Sequence, residues 1–475
     1  MESTVIFGPP GCGKSTTLID IMKSTKGKSC FVSFTRAAAA EMTSRCKGMD
    51  FDISTIHSLA FRSAGITKDQ VIGRDDFKKF ASLTGFEITG SNPEEGELPQ
   101  IGDFYLALYS MHRNKLRSEL GETYDHTVRD GSPEEFRFFV QKYEEFKKAY
   151  GLVDFTDMLE LAYGTTINYE NLFIDEAQDL SPLQWKLVES WAANMKRVFV
   201  AGDDDQSIYV FGGADPAGMN KFAERYASGI KILDQSYRIP ASVHTLATDL
   251  INQISKRQEK IYKPRTESGR VRKFDTVWNL NPITHGEDVL ILYRNHSLRN
   301  DIEQKLIESN TPYITDSGKP GVMQSYLARA VKALVACGKN FNAMHCSMAT
   351  EAERRAMKRV FPGQSREIDA DDFSFLNKKH WTDIAVGRYA DINYLAEVET
   401  RYGLNVRPTI HLSSIHGSKG REAERVILIN AMNARSAEAL HNNPDGEIRV
   451  FYVGVTRAKH TLDIVFDDNP LPMLR

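Results

Sequence analysis

The sequence is poor in cysteine, has no long apolar run and carries little net charge, and each shortage excludes something. Its five cysteines, Cys12, Cys30, Cys46, Cys337 and Cys346, form no C-x-x-C pair. That argues against a disulfide framework, against a zinc or iron–sulfur site, and for a reducing, cytoplasmic setting. No apolar stretch approaches the ~18 residues that a membrane span requires. The chain enters an apolar strand at once, so no signal peptide is expected. A net charge of −3 excludes a uniformly basic coat for duplex DNA, yet it leaves room for a local basic groove. No internal repeat or low-complexity segment interrupts the 475 residues, a length that calls for two or more cores.

What is present starts near the N-terminus. Val5-Ile6-Phe7 reads as a strand, Thr17-Leu18-Ile19-Asp20-Ile21-Met22 as a helix, and between them stands Gly8-Pro9-Pro10-Gly11-Cys12-Gly13-Lys14-Ser15-Thr16. The spacing is G-x-x-x-x-G-K-[ST], a phosphate-binding loop. Glycines let backbone N–H groups close around phosphate oxygens, and the helix start adds its positive dipole end. Lys14 brings a charge to the outer phosphates, and Ser15 offers a hydroxyl to Mg²⁺.

Apolar strands alternating with helices predict an α/β fold with parallel sheets covered on both faces. Strands are expected at 30–35, 53–59, 171–176 and 197–203, and a second set at 231–233, 288–293, 410–412, 425–429 and 462–465. Between the early strands a polar, mostly helical stretch includes the acidic Ser91–Glu97 and a long amphipathic helix, Pro133 to Tyr150. The expected organisation is a first α/β domain at 1–61 and 154–234 with a helical insertion at 62–153. A second domain is expected at 235–340 and 408–475, with a small insertion at 341–407.

Two further stretches carry chemistry. Ile174-Asp175-Glu176-Ala177-Gln178-Asp179 ends an apolar strand, and carboxyl ends of parallel strands line ligand crevices. One acid there can hold Mg²⁺ while the next polarises an attacking water. In Gly202-Asp203-Asp204-Asp205-Gln206-Ser207-Ile208-Tyr209-Val210-Phe211, Gln206 is placed to sense a γ-phosphate. Tyr209 and Phe211 offer flat faces to bases, although a core role for the pair stays open, since buried aromatics are the commoner case.

Taken in order, these elements resemble the UvrD/PcrA/Rep group of superfamily 1 DNA helicases. The resemblance is carried by the phosphate loop, by Phe34-Thr35-Arg36-Ala37-Ala38-Ala39-Ala40-Glu41-Met42 and by Thr55-Ile56-His57-Ser58. It continues through Asp154-Phe155-Thr156-Asp157-Met158-Leu159, Asp175–Asp179, Gly202–Tyr209 and Ser236-Tyr237-Arg238. It ends with His416-Gly417-Ser418-Lys419-Gly420-Arg421-Glu422 and Tyr452-Val453-Gly454-Val455-Thr456-Arg457-Ala458. It implies two RecA-like domains, each with a mostly helical insertion, and a motor that hydrolyses ATP with Mg²⁺ while moving 3′→5′ on single-stranded DNA.

The implied nucleotide site comprises Gly8 to Thr16, Arg36, Tyr237, Arg238, Glu422 and Arg457. Ser15 and Asp175 would hold Mg²⁺, and Glu176 would be the catalytic base. Gln206 would couple the γ-phosphate to the DNA side. Arg238 and Arg457 would reach from the second core as arginine fingers beside Lys14. Phe34, Tyr209 and Phe211 would stack on bases, and Thr35, Thr55, His57 and His416 would contact the strand. The implied partners are single-stranded DNA, its junctions with duplex, and a loading, replication or repair protein, for a monomer or weak oligomer. Only seven residues precede Gly8, so the family's upstream adenine-reading glutamine is not expected in its usual place, and nucleotide selectivity stays open. Position 212 is glycine where the family carries arginine, and Arg421 stands where an apolar residue is usual. With 18 residues after Arg457, no appended nuclease domain is expected. Two other outputs stay open: a translocase that strips proteins from DNA without efficient unwinding, and an ATP-switched DNA-binding or assembly factor.

Overall fold

The computed structural model describes residues 2–49, 51–90, 100–124, 131–276, 286–315, 321–336, 355, 381–383 and 385–474. The acidic stretch Ser91–Glu97, Cys337, Cys346 and most of 341–380 in the expected second insertion lie outside the described residues. The chain separates into two compact units, 1–269 with 438–456 and 270–437 with 457–475.

The first unit is built on β1 (Glu2–Phe7), β2 (Ser29–Ser33), β3 (Asp52–Thr55), β4 (Asn171–Asp175), β5 (Arg197–Gly202) and β6 (Gly229–Ile232). They form one sheet in the order β3-β2-β4-β5-β1-β6, and every pairing is parallel. Both faces are covered, which is why β2 and β4 are buried at every position. Alternate side chains feed two cores. Val5, Phe7, Val32, Leu172 and Ile174 pack with Leu59, Leu183 and Trp191 on one face. Ile6, Phe31 and Phe173 meet Leu18, Met22 and Met42 on the other. Lys231–Leu233, read above with the second set of strands, instead pairs β6 against β1 as an exposed edge strand of this first sheet. The strand expected at 53–59 stops at Thr55, where the Thr55 hydroxyl accepts from Ser58 N–H and starts the helix Ile56–Ser63.

The helical stretch between β3 and β4 has its own core. Helices Arg74–Thr84, Ile101–Asn114 and Pro133–Tyr150 bury an aromatic cluster that includes Phe80, Phe86, Tyr105, Phe139 and Tyr143. The last helix spans the predicted range because its ends are written into the sequence. Ser132 caps it, Pro133 opens it, and Gly151 closes it in the left-handed region at φ 64°. An ion cluster fastens these helices to the segment that leads into β4. Lys147 Nζ donates to Asp154 (2.9 Å) and Asp157 (2.7 Å), and Arg113 reaches Asp154 (3.2 Å), Asp157 and Glu160 (2.6 Å). Asp154-Phe155-Thr156-Asp157 is thus a capping box whose acids are neutralised from these helices.

The second unit carries β7 (Arg270–Phe274), β8 (Val289–Tyr293), β9 (Tyr313–Thr315), β10 (Ile410–Ser414), β11 (Ala423–Asn430) and β12 (Ala458–Phe466). These form a second six-stranded sheet, ordered β7-β12-β11-β8-β10-β9, again with every pairing parallel. The protein is therefore α/β with two all-parallel sheets, consistent with two RecA-like domains. Strand β7 escapes sequence reading because Arg270, Arg272 and Lys273 alternate with few apolar residues. It is held by Arg272, which donates to the buried Asp463 at 2.6 and 2.8 Å. Helix Tyr389–Tyr402, within the stretch read as an insertion, packs Tyr394, Leu395 and Val398 into this unit's core.

Candidate active site

In the first unit, each of the six parallel strands delivers a candidate residue just beyond its carboxyl end. β1 leads into the phosphate loop, β2 into Phe34 and Thr35, and β3 ends at Thr55 ahead of His57. β4 ends at Asp175 beside Glu176, β5 leads to Asp203 and Gln206, and β6 leads to Tyr237 and Arg238. The sheet's register brings these residues, far apart in sequence, to one edge.

The loop itself is tightly held. Gly11 and Gly13 adopt φ 73° and 76°, a region that L side chains occupy at a cost. Gly8 N–H donates to the Gly202 carbonyl at 3.0 Å. Lys14 Nζ folds back to the Gly8 carbonyl at 2.8 Å, and a Cβ on Gly8 would stand 2.3 Å from Lys14 Cγ. The Cys12 thiol is pushed up to about 12, first by burial, and so stays protonated. Segment 236–238 lies directly over the loop. Ser236 Oγ donates to the Pro10 carbonyl at 2.8 Å, and Tyr237 N–H donates to the Gly11 carbonyl at 2.9 Å. Arg238, expected from the second core, packs in the first unit instead, with its Cβ 2.4 Å from where a Gly11 Cβ would be. Chain continuity explains this, since residues 233–238 run straight from β6, which neighbours β1. The Tyr237 ring is 73% exposed.

Ser15 Oγ donates to Asp175 Oδ2 at 2.7 Å. Burial, and next the charge of Glu176, pushes the Asp175 carboxyl up to about 6, against the opposing hydrogen bond from Ser15 and the charge of Lys14. A hydroxyl and a desolvated carboxylate converging on one point form an all-oxygen donor set, which suits Mg²⁺. Glu176 takes φ 53°, a left-handed conformation rare outside glycine. This bend turns the chain from β4 into the turn Ala177–Asp179. The Glu176 carboxylate accepts from Gln178 Nε2 at 2.5 Å.

Gln178 is a linking residue that sequence reading does not single out. Its Oε1 accepts from Asp203 N–H at 2.9 Å, and its carbonyl accepts from Ser207 Oγ at 2.8 Å, so it ties β4's acids to the β5 turn. Asp203 Oδ2 in turn accepts from Gln206 Nε2 at 2.6 Å. Asp203, Asp204 and Asp205 are all buried with carboxylate oxygens close enough to hold a metal, but the Lys260 ammonium is already among them. It lies 3.2 Å from Asp203 and 2.9 Å from Asp205, and also bonds Asp204. Arg257 grips Asp205 with two bonds, at 2.8 and 2.7 Å. Arg449 Nε donates to the Asp204 carbonyl at 3.0 Å. Nothing in the local sequence around Lys260, Arg257 or Arg449 flags these partners.

The aromatic candidates also come together. Phe34 and Tyr209 have ring centroids 5.3 Å apart, and Tyr209 meets Phe211 edge-on at 5.9 Å. Phe211 is 45% exposed, which places it at the surface. His57 sits edge-on to the exposed Phe155 at 5.8 Å. Its imidazole is pushed down to about 4 by burial and then by Arg36. Thr35 and Thr55 cap the helices Arg36–Arg45 and Ile56–Ser63, accepting from Ala38 and Ser58 N–H at 3.1 and 3.2 Å. Arg36 is exposed at the start of its helix, and Thr16 accepts from Arg45 at 2.7 Å.

The remaining candidates belong to the second unit. Arg457 is buried, and its Nη1 donates to the Arg421 carbonyl at 3.4 Å. Glu422 pairs with Lys459 at 3.2 Å. These residues gather where β11 and β12 begin, whereas His416 follows the far, carboxyl end of β10.

Comparison with known proteins identifies a family. The UvrD/REP helicase N-terminal domain matches residues 1–227, and the UvrD-like helicase C-terminal domain matches residues 348–469. DNA helicase II of Haemophilus influenzae is 26% identical over 364 residues, covering 65% of this chain and 48% of that protein. ATP-dependent DNA helicase PcrA of Staphylococcus aureus is 24% identical over 336 residues, covering 61% of this chain and 44% of that protein. The chain thus spans about half the length of the curated relatives it matches. Among solved structures, arterivirus nonstructural protein 10 (helicase) aligns with 98% of this chain and 59% of its own, at 12% identity and a TM-score of 0.34, too distant to carry an argument. No helix among the described residues is long and apolar enough to cross a membrane. With the family's N- and C-terminal domains matching residues 1–227 and 348–469, the chain belongs to the UvrD/REP helicase family.

Proposed function

We propose that the protein is an ATP-dependent DNA helicase that moves 3′→5′ on single-stranded DNA. The observation that carries this reading is the shared edge of the first sheet. The Lys14–Ser15–Asp175–Glu176 group and the Phe34–Tyr209–Phe211 aromatics emerge from neighbouring strand ends. Between them lies the Asp203–Gln206 turn. A phosphate site and a base-stacking surface joined by one hydrogen-bonded turn is what coupling hydrolysis to movement requires.

In this reading the loop's N–H groups and Lys14 hold the β- and γ-phosphates of ATP. Ser15 and Asp175 would hold Mg²⁺, which supplies charge neutralisation at the phosphate oxygens. Glu176 accepts the proton of the attacking water as the new O–P bond forms and the bond to ADP breaks. Gln206 responds to loss of the γ-phosphate, and Asp203 fixes which end of its amide faces inward. Phe34, Tyr209 and Phe211 stack on bases, a grip worth roughly 1–3 kcal/mol per base and indifferent to sequence. Opening a base-pair step costs about 1.4 kcal/mol on average, so a few stacked bases are in the right range. The roles of Glu422, His416 and Arg457, and the 3′→5′ polarity, rest on the family pattern. So does the division into two RecA-like domains with insertions at 62–153 and 341–407.

The test pairs phosphate release, with and without single-stranded DNA or RNA, with unwinding of 3′- and 5′-tailed duplexes. DNA-stimulated hydrolysis and unwinding of the 3′-tailed duplex alone are expected. Lys14→Ala should abolish hydrolysis while leaving DNA binding largely intact, and retained hydrolysis refutes the site. Displacement of streptavidin from a DNA end without unwinding would replace the helicase by a protein-stripping translocase. Turnover below a few per minute with DNA present would favour an ATP-switched binding factor.

A further inference from the structure

The three consecutive buried aspartates raise a physical question that the nucleotide site alone does not answer. Three carboxylates in one buried pocket repel one another, and burying them is costly unless a cation faces them. Lys260 supplies that cation from a separate segment, 55 to 57 residues downstream, and it touches all three acids. Its own charge is stabilised in return: the three aspartates hold the ammonium well above its ordinary value despite burial. Arg257 pairs with Asp205 a second time, whereas Lys260 is the cation that faces Asp203 and Asp204 among the described residues.

Asp203 is also the hub of the candidate site. Its Oδ2 accepts from Gln206 Nε2 at 2.6 Å. Its backbone N–H donates to Gln178 Oε1 at 2.9 Å, and Gln178 Nε2 donates to Glu176 Oε2 at 2.5 Å. An ion pair therefore joins Lys260 to Asp203, and hydrogen bonds lead on from Asp203 to Gln206, and through Gln178 to Glu176. The Asp203 carboxylate accepts from Gln206 Nε2, which fixes the amide with its NH₂ toward Asp203.

We propose that Lys260 is a positioning residue for ATP hydrolysis: its ion pair holds the Asp203 carboxylate in place within the buried aspartate cluster, and that carboxylate holds Gln206 in its working orientation. The inference rests on the hydrolytic reading of the phosphate-loop site. It assigns a role to a lysine outside the motifs that carried the family resemblance, and it requires no contact of Lys260 with nucleotide.

The experiment is a double-mutant cycle on the full chain, with steady-state DNA-stimulated ATPase as readout and nucleotide affinity measured by a fluorescent ATP analogue. Lys260→Met should lower kcat by about 10- to 100-fold, the usual range for residues that orient a reacting group, with analogue affinity held within about threefold. Lys260→Arg, which keeps the charge, should recover most of the loss. In a Gln206→Ala background, Lys260→Met should add less than about threefold, because both changes disable one unit. Asp203→Asn, which removes a buried negative charge with almost no change of shape, guards against a misfolded Lys260→Met. It should reproduce the kcat loss and the same lack of additivity. Thermal melting identifies the folded variants to be compared. The proposal is overturned if folded Lys260→Met or Asp203→Asn hydrolyses within twofold of the parent, or if either effect multiplies with Gln206→Ala. A parent chain without DNA-stimulated hydrolysis would instead overturn the functional reading beneath it.

Discussion

Gly11→Ala is the substitution whose consequence the structure specifies most closely. Gly11 sits at φ 73°, and an added Cβ would fall 2.4 Å from Arg238 Cβ and 3.0 Å from Ser236 Oγ. Arg238 Cβ is fixed by its own backbone, so relief requires segment 236–238 to lift from the loop. That loses Tyr237 N–H to the Gly11 carbonyl and Ser236 Oγ to the Pro10 carbonyl, together about 2 kcal/mol net at roughly 1 kcal/mol each. The left-handed backbone adds about 1–2 kcal/mol for an L side chain. Gly13 is the internal control, with φ 76° and nothing within 4 Å of its added Cβ. Gly13→Ala thus carries the strain without the displacement. Hydrogen exchange followed by mass spectrometry on the peptide covering 233–240 reads the difference. Gly11→Ala should speed exchange of the Tyr237 amide by about 25-fold relative to Gly13→Ala, since 1.4 kcal/mol is tenfold. Equal exchange in the two variants would refute the claim that segment 236–238 is clasped on the loop.

Three further outcomes test other parts of the molecule. Phe211→Ala should weaken single-stranded DNA binding by roughly 1–3 kcal/mol while shifting stability by no more than about 0.5 kcal/mol; a large stability loss with unchanged DNA affinity would make the ring a packing element. The His57 imidazole is pushed down to about 4 from 6.5 by burial and by Arg36, so the unfolded chain binds the extra proton between those values. Stability should therefore fall as pH drops from 6.5 toward 4, and His57→Gln should flatten the urea midpoint across that window; an unchanged slope would refute it. Lys147→Met leaves Asp154 and Asp157 to Arg113 alone and should cost about 3–5 kcal/mol in urea unfolding of the first unit, against which a loss below 1 kcal/mol would count.

The parts of this protein legible in its sequence are those decided locally. The phosphate loop is set by glycine conformation and a neighbouring strand. Asp175 and Glu176 are marked because an apolar run ends in acids, and helix Pro133–Tyr150 because Ser132, Pro133 and Gly151 write its ends. The two parallel sheets follow from apolar strands alternating with helices. Segments that lean on distant neighbours were not legible. Strand β7 has too few apolar residues to announce itself and depends on Arg272 reaching Asp463, a partner 191 residues away. Lys231–Leu233 joins β1 of the first sheet rather than the second set of strands, because pairing, not composition, decides which sheet an edge strand joins.

The same division holds for the candidate site. Residue types and order were enough to nominate Lys14, Ser15, Asp175, Glu176 and Gln206, because phosphate and metal chemistry needs those groups at those spacings. Only the tertiary structure brought Lys260 into the aspartates, Arg449 to Asp204 across 245 residues, and Arg238 onto Gly11. Buried charge must be paired wherever the chain can supply a partner, and sequence spacing does not encode which distant cation will arrive. The chain's own sequence thus determined what chemistry the sheet edge carries, and packing decided which residues hold that chemistry in place.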